Sequence, residues 1–411
     1  MEENRNREQE VFENIPNEGI VEEKTPEEIK KEKKRKRRKG FFIFFVIFMS
    51  IVLVAVGSVA AFVFSKLGKI SYDTPEQTTI DVTQEFIEKE EDVIEFEGID
   101  DATGNSFREI LKNWATNGGK KLSDKSVINV LLIGSDASAK DPTRASSADR
   151  GNTDVMMIAS VDIKNRTIKL VSFMRDSYTY LDQFDRYAKL NAACANGGPG
   201  YLVETIENDY KIEIDGYVLV DFDSFVQVID ILGGVRVNVP QYVASYLSNK
   251  KYGAFPSGDV VLTGEQALKF CRVRYSDADG DVSRTARQRQ VVSAIINKCK
   301  GASLGEINAI ADVILANIRT NISQKTILSY AAKAVSDNWA NFEVSQMTMP
   351  DKYTRATYMS ASTAWIWIID YPLAAQTTQL FLYGETNITL PEERTTAISI
   401  MGKYVPKKPT D

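Results

Sequence analysis

Apolar residues are spread unevenly along this chain, and their spacing changes character from one stretch to the next. Residues 1–29 are rich in Glu and Asn with few apolar side chains, too few to bury a core, which predicts a disordered tail. Residues 41–65 then carry no charge at all. At 1.5 Å per residue that run is roughly 35 Å long as a helix, enough to cross the hydrocarbon of a bilayer. Residues 70–101 are acidic with short apolar clusters such as DVIEFEGI, the pattern of a stalk. Phe107, Ile110, Leu111 and Trp114 fall at helical spacing, predicting an amphipathic helix over 105–116, capped by Asn105 and stopped at Gly118 and Gly119.

From residue 126 the pattern becomes that of a layered domain. SVINVLLIG (126–134) is a near-continuous run of β-branched and leucine residues, as expected of a strand buried on both faces. DVMMIASVDI and TIKLVSFM, joined by KNR, predict a hairpin. KLNAACANGGPG reads as loop, 201–210 as a helix and KIEIDGYVLVDF as a strand. Phe225, Val226, Ile229 and Leu232 form one helical stripe before a Gly-Gly stop, and VRVNVP closes as a short strand. Helices follow over 264–270, 283–299, 304–318 and 324–335, then TAWIWIID, a helix over 371–381 and a frayed tail from 390. Strands alternating with helices argue for one α/β domain, layered α/β/α, with helices on both faces of a mixed central sheet and a transmembrane helix before it. The expected organisation is a tail at 1–40, a signal anchor at 41–66, a stalk or accessory segment at 67–120, a catalytic domain at 121–388 and a tail at 389–411.

Composition narrows the chemistry. The chain has 411 residues, 43% hydrophobic and 26% charged, and its net charge of −6 offers no general attraction to nucleic acid. It has no histidine. That removes serine-histidine and cysteine-histidine catalysis, histidine-ligated zinc and an imidazole base, leaving carboxylates, lysine, tyrosine or metal-bound water as proton acceptors. Cys194, Cys271 and Cys299 are too few and scattered for a zinc cluster or a disulfide framework, and read as buried small apolar residues. KKEKKRKRRK (30–39) abuts the apolar run, so the positive-inside rule puts residues 1–40 in the cytoplasm and the rest outside, on an uncleaved anchor.

Fixed positive charge concentrates in CRVRYSDADGDVSRTARQRQ (271–290). Arg272 and Arg274 sit two apart, so an extended RVRY sends both side chains to one face. Beyond the turn, Asp281 or Ser283 caps a helix starting near Arg284, whose first turn carries Arg284, Arg287 and Gln288 on one face. Basic groups at a helix start oppose its dipole and call for an anion such as phosphate. A solvated face paired to Asp277, Asp279 and Asp281 is the competing reading. At the ends of the expected strands lie Asp136, Asp154, Arg175 and Asp176. Two carboxylates beside arginines suit a magnesium ion bridging to a phosphate. Loop capping by Asp136, pairing of Asp154 with Arg150 and pairing of Arg175 with Asp176 are the plainer alternatives.

Together VLLIGSD, TDVMMIASVD, SFMRDSY, KLNAACANGG, DFDSFVQVIDILGGVRVNVP and LTGEQALKFCRVRYSDADGDVSRTARQRQ resemble the LytR-CpsA-Psr family of cell-envelope phosphotransferases, over about residues 127–293. The resemblance implies transfer of a phosphorylated glycopolymer from a polyprenyl-pyrophosphate carrier to a peptidoglycan hydroxyl at the outer face of the membrane, with Mg2+ assisting. It implies metal-side roles for Asp136 and Asp154 and pyrophosphate contacts for Arg175, Arg272, Arg274, Arg284 and Gln288, with Arg287 in the same motif. Asn152 stands where the family usually has an arginine, a place Arg150 can take from further back; MRD replaces PRD, and Val282 stands in DVSRT where an aromatic-Gly-Arg is frequent. Asp154 and Asp176 are the candidates for the proton acceptor, and Phe225, Val226 and Ile229 either line a slot for the prenyl tail or belong to the ordinary core. The alternatives are a lipid pyrophosphate hydrolase, a membrane-anchored transcriptional regulator and a non-catalytic polyprenyl-phosphate binder.

Overall fold

The computed structural model describes residues 65–73, 100–135, 153–252, 254–273, 281–300, 304–359 and 365–402. The expected cytoplasmic tail, the basic run, residues 41–64 of the membrane anchor, most of the stalk, Asp136, Arg150, Asn152 and Arg274 lie outside the described residues. Among the described residues no helix is long and apolar enough to cross a membrane. The chain divides into two units, Met1–Ser65 and Lys66–Asp411, and the elements below belong to the second.

After β1 (Ser71–Tyr72), α1 (Asp101–Asn117) begins four residues before the expected start. Its cap is Asp100, not Asn105: the Asp100 carboxylate accepts from the Thr103 amide at 2.8 Å. β2 (Val127–Ser135), β3 (Thr153–Asp162) and β4 (Thr167–Phe173) match the expected strands, and β3 and β4 form the expected hairpin. β5 (Tyr178–Leu181) and β6 (Arg186–Lys189) make a two-stranded ribbon. Past Lys189, the segment KLNAACANGGPG is not loop but the first part of α2 (Leu190–Tyr210). Two helical stretches meet at Gly198, whose φ of 78° suits glycine, so the Gly-Gly-Pro signal marks a break inside a helix.

The strand expected over KIEIDGYVLVDF is confined to β7 (Gly216–Asp221), after which Asp221 caps α3 (Phe222–Ile231). β8 (Val235–Val239) stands outside the main sheet; α4 (Gln241–Leu247) follows it and β9 (Gly258–Leu262) pairs with it. α5 (Gly264–Arg272) starts from a capping box between Thr263 and Gln266. Arg272 is the last residue of this helix, so the expectation that RVRY is an extended strand fails there. α6 (Asp281–Lys300), α7 (Leu304–Asn317), β10 (Ile318–Thr320), α8 (Gln324–Ser336) and β11 (Glu343–Met349) follow. The chain ends through the hairpin β12 (Arg355–Met359) and β13 (Trp365–Ile369), α9 (Tyr371–Tyr383) and α10 (Ala397–Ile400). The end expected to fray is held in part by Arg394, which donates to both oxygens of Asp370.

The sheet is mixed, with strand order β1-β10-β7-β2-β3-β4-β11. β7 runs parallel to β2, β3 antiparallel to both its neighbours, and β11 parallel to β4. The carboxyl ends of β2, β4, β7 and β11 therefore share one end of the sheet with the start of β3. Side chains alternate across the strands. Leu131, Ile133, Met156, Ile158 and Val171 join Phe107 of α1, Leu202 and Ile206 of α2 and Leu382 of α9 in one core. Ala397 and Met401 belong to it too, so packing extends on both sides of the expected 121–388 boundary. A second core joins α3, α4, α5, α6, β8 and β9 through Ile229, Val243, Phe270, Val291, Val237 and Leu262.

Candidate functional site: a cleft with a cationic and an apolar end

At the shared strand end lies a cavity of about 390 Å³ between the sheet and helices α3, α5 and α6. Asp154, Arg175, Arg272, Arg284 and Gln288 supply its polar wall. Leu132, Val155, Val220, Phe222, Phe225, Leu268 and Val292 supply its apolar wall. Gly134 leaves bare backbone beside Val155, because a Cβ there would stand 2.9 Å from the Val155 Cβ.

Asp154, Arg175 and Arg272 are positioned by strand or helix ends, Arg284 and Gln288 by the amino-terminal half of α6. Asp154 is the second residue of β3, just past the irregularity in the β2–β3 pairing at Gly134 and Ser135. Arg175 follows β4 in a turn tied by Met174 N–H to Met349 O at 2.8 Å and by Asn191 N–H to Arg175 O at 3.3 Å. Arg284 and Gln288 are one turn apart on α6 and are buried, whereas Arg272 is exposed, its guanidinium 5.3 Å from the Phe222 ring centre.

Arg175 Nη1 donates to Asp154 Oδ1 at 2.6 Å, and Arg284 Nη1 stands 3.6 Å from the same oxygen. Arg272 adds a third guanidinium on this wall. The other carboxylate there, Asp221, caps α3, its Oδ1 accepting from the Ser224 amide at 2.8 Å and from its hydroxyl at 2.5 Å. The wall is therefore net cationic in partly water-excluded surroundings, where a bound anion interacts more strongly than at an open surface. Among the described residues no group of three His, Cys, Asp or Glu is gathered for a metal. Asp154 carries both its contacts through Oδ1, leaving Oδ2 for a cation that would complete its shell with water and substrate oxygens. Cys271 lines the cavity as a thiol pushed up to about 12 by burial, an apolar group rather than a nucleophile.

Other expected residues sit elsewhere. Asp176 is buried behind Arg175 and outside the cavity wall, paired with Lys189 at 3.2 Å and facing Arg175 Nε at 3.6 Å. Arg287 turns from the cleft to donate to Val273 O at 2.5 Å across the Phe270 ring, fastening α6 to the end of α5. Of the three residues expected along the lipid slot, Phe225 lines the cavity, Ile229 is wholly buried in the second core, and the Val226 backbone abuts Gly264 of α5. Asp221, Phe222, Leu132, Val155 and Val220 escaped the sequence reading. Strand-end position and alternation were the available signals, but both need the order of strands in the sheet.

The LytR_cpsA_psr family model matches residues 88–378, which takes in every element of this cleft. The chain belongs to the LytR_cpsA_psr family. A curated LytR_cpsA_psr relative, the polyisoprenyl-teichoic acid–peptidoglycan teichoic acid transferase TagV of Bacillus subtilis (strain 168), is 38% identical over 183 residues, 43% of this chain and 47% of the relative. The TagU transferase of Bacillus mycoides (strain KBAB4) is 35% identical over 207 residues, 50% of this chain and 63% of the relative. The match thus covers under two thirds of the length of these two relatives. The solved structure of TagT bound to LIIa-WTA is 26% identical with a TM-score of 0.51, over 65% of this chain and 98% of that one.

Proposed function

We propose that this chain is a membrane-anchored, extracytoplasmic phosphotransferase that moves a phosphorylated glycopolymer from a polyprenyl-pyrophosphate carrier to a peptidoglycan hydroxyl. One observation carries the reading: three guanidinium groups, the carboxylates of Asp154 and Asp221 and Gln288 border one part of a cavity whose remaining wall is mostly apolar, the two surfaces that a diphosphate joined to a prenyl chain requires. The teichoic acid transferase names of TagV and TagU support it. The apolar run at 41–65 with its basic flank supports a single span with the amino terminus inside.

In the mechanism, the acceptor hydroxyl oxygen attacks the phosphorus nearer the glycan in line with the bridging oxygen. A new phosphorus–oxygen bond forms, the bond to the bridging oxygen breaks, and polyprenyl phosphate leaves. Arg175, Arg272 and Arg284 neutralise charge on the leaving phosphate and the equatorial oxygens, the main demand of phosphoryl transfer. Of the two candidate proton acceptors Asp154 borders the cavity and Asp176 does not, so the hydroxyl proton goes to Asp154. Asp136 and Asp154 would hold magnesium, which supplies further charge neutralisation when bound.

The test is the purified full chain with a prenyl-pyrophosphate-linked glycopolymer, with and without peptidoglycan. Covalent attachment to peptidoglycan is the expected product. Release of free phosphorylated glycan alone would make the protein a lipid pyrophosphate hydrolase, and binding without turnover a carrier-lipid binder.

A further inference from the structure

Behind the cleft wall, Lys189 and Asp176 form a buried ion pair that no step of the proposed reaction uses. Lys189 ends β6, its side chain 8% exposed, and its Nζ lies 3.2 Å from Asp176 Oδ1. The other Asp176 oxygen is 3.6 Å from Arg175 Nε, too long for a good hydrogen bond. Arg175 makes a close contact, 2.6 Å, with Asp154 inside the cleft. The backbone around Lys189 straps the same turn: Leu190 N–H donates to Ser177 O at 2.8 Å and Asn191 N–H to Arg175 O at 3.3 Å. From the other side, Trp367 N–H holds Asp176 O at 2.9 Å.

We infer that Lys189 is a positioning residue: by pairing with Asp176 it keeps that carboxylate from drawing the Arg175 guanidinium out of the cleft, so that Arg175 points at Asp154 and the phosphate. Asp176 adjoins Arg175 in sequence and is as buried as any group in the site. In a low-dielectric setting an Asp176 deprived of the Lys189 charge would compete more strongly with Asp154 for Arg175. Lys189 removes that competition without lining the cavity itself. The role rests on the proposed pyrophosphate chemistry of the cleft, and it makes Lys189 necessary only while Asp176 is a carboxylate.

That condition supplies the test. The full chain in detergent is titrated with geranylgeranyl pyrophosphate as the probe and assayed for transfer from a lipid-linked glycopolymer, for wild type, Lys189→Met and the double variant Lys189→Met/Asp176→Asn. Lys189→Met should weaken probe binding and lower kcat/KM about a hundredfold, the scale of a displaced catalytic group. The double variant, with no carboxylate left to compete, should regain most of both. A double variant that melts like wild type yet is as impaired as the single one would overturn the inference, since Lys189 would then act on substrate directly. A Lys189→Met variant with wild-type binding and transfer would overturn it also. If Lys189→Met does not fold, the double variant, which removes both charges of the pair together, decides alone: probe binding near wild type supports the role and its loss refutes it. A wild type that binds the probe but attaches nothing to peptidoglycan would sink the transferase reading while leaving the binding comparison intact.

Discussion

The Arg175 guanidinium donates to Oδ1 of Asp154 at 2.6 Å, joining the end of β4 to the start of β3 at the cationic wall of the cavity. The guanidinium is a planar fork of five N–H donors that matches phosphate oxygens, which a lysine ammonium does not reproduce. Arg175→Lys is therefore expected to lower kcat/KM for glycopolymer transfer about 10²- to 10³-fold, the cost of one preorganised donor in a phosphoryl or acyl transfer site. Steady-state kinetics on the full chain checks this, and a wild-type rate would remove Arg175 from the chemistry.

Arg284 and Arg287 differ by less than one helical turn yet have different surroundings, Arg284 on the cavity wall and Arg287 bound to Val273 O. Arg287→Met should cost about 1.5–3 kcal/mol of folding stability, the value of a hydrogen bond to a charged group. Pyrophosphate affinity at a temperature where the protein stays folded should change little. Arg284→Met should do the reverse. Denaturant titration and binding of inorganic pyrophosphate on both variants separate the two roles.

The apolar wall makes a prediction about the carrier. Val220→Trp places a large ring in the cavity and should abolish binding of geranylgeranyl pyrophosphate while inorganic pyrophosphate still binds, as calorimetric titration would reveal. Ile229→Ala, in the second core, should instead cost about 2–5 kcal/mol of stability, as large-to-small core changes do, with no preference among prenyl chain lengths. Loss of both ligands in Val220→Trp would mean that the two ends of the cavity do not bind independently.

Asp209 lies wholly buried with Thr179 Oγ1 donating to its two oxygens at 2.8 and 3.0 Å. Burial pushes its carboxyl from 3.8 up to about 7, with the Thr179 hydroxyl and the Lys211 charge opposing. A raised carboxyl holds its proton in the folded state, so this group's contribution to stability is present in full below its unfolded value and is lost as pH rises from about 4 to about 7. The stability of wild type relative to Asp209→Asn should therefore fall across that window, measured by chemical denaturation at each pH. A difference flat in pH would mean that the carboxyl titrates normally.

How much of this was legible beforehand depended on distance along the chain. The hairpin of β3 and β4, the Gly-ended helix α3 and the amphipathic α1 follow from local alternation and spacing, because their signals lie within one or two turns or strands. The helical start of KLNAACANGG was misread, since glycine and proline mark a break without saying what they break. The strand expected over RVRY fails at Arg272 for a related reason: alternation of two arginines suits a strand, but the capping box at Thr263 sets a helix that runs to Arg272.

By itself the sequence determined the strands and helices with strong local periodicity, the absence of imidazole chemistry, and the concentration of arginine and aspartate at strand ends and helix starts. Only the tertiary structure decided which of those charges meet. Asp154, Arg175 and Arg284 come together because β3 runs antiparallel between β2 and β4 and α6 packs beside them, a consequence of strand order in a mixed sheet. The same packing turned Arg287 toward Val273 and set Asp176 against Lys189, because a buried charge must find its partner through space, whatever their separation along the chain.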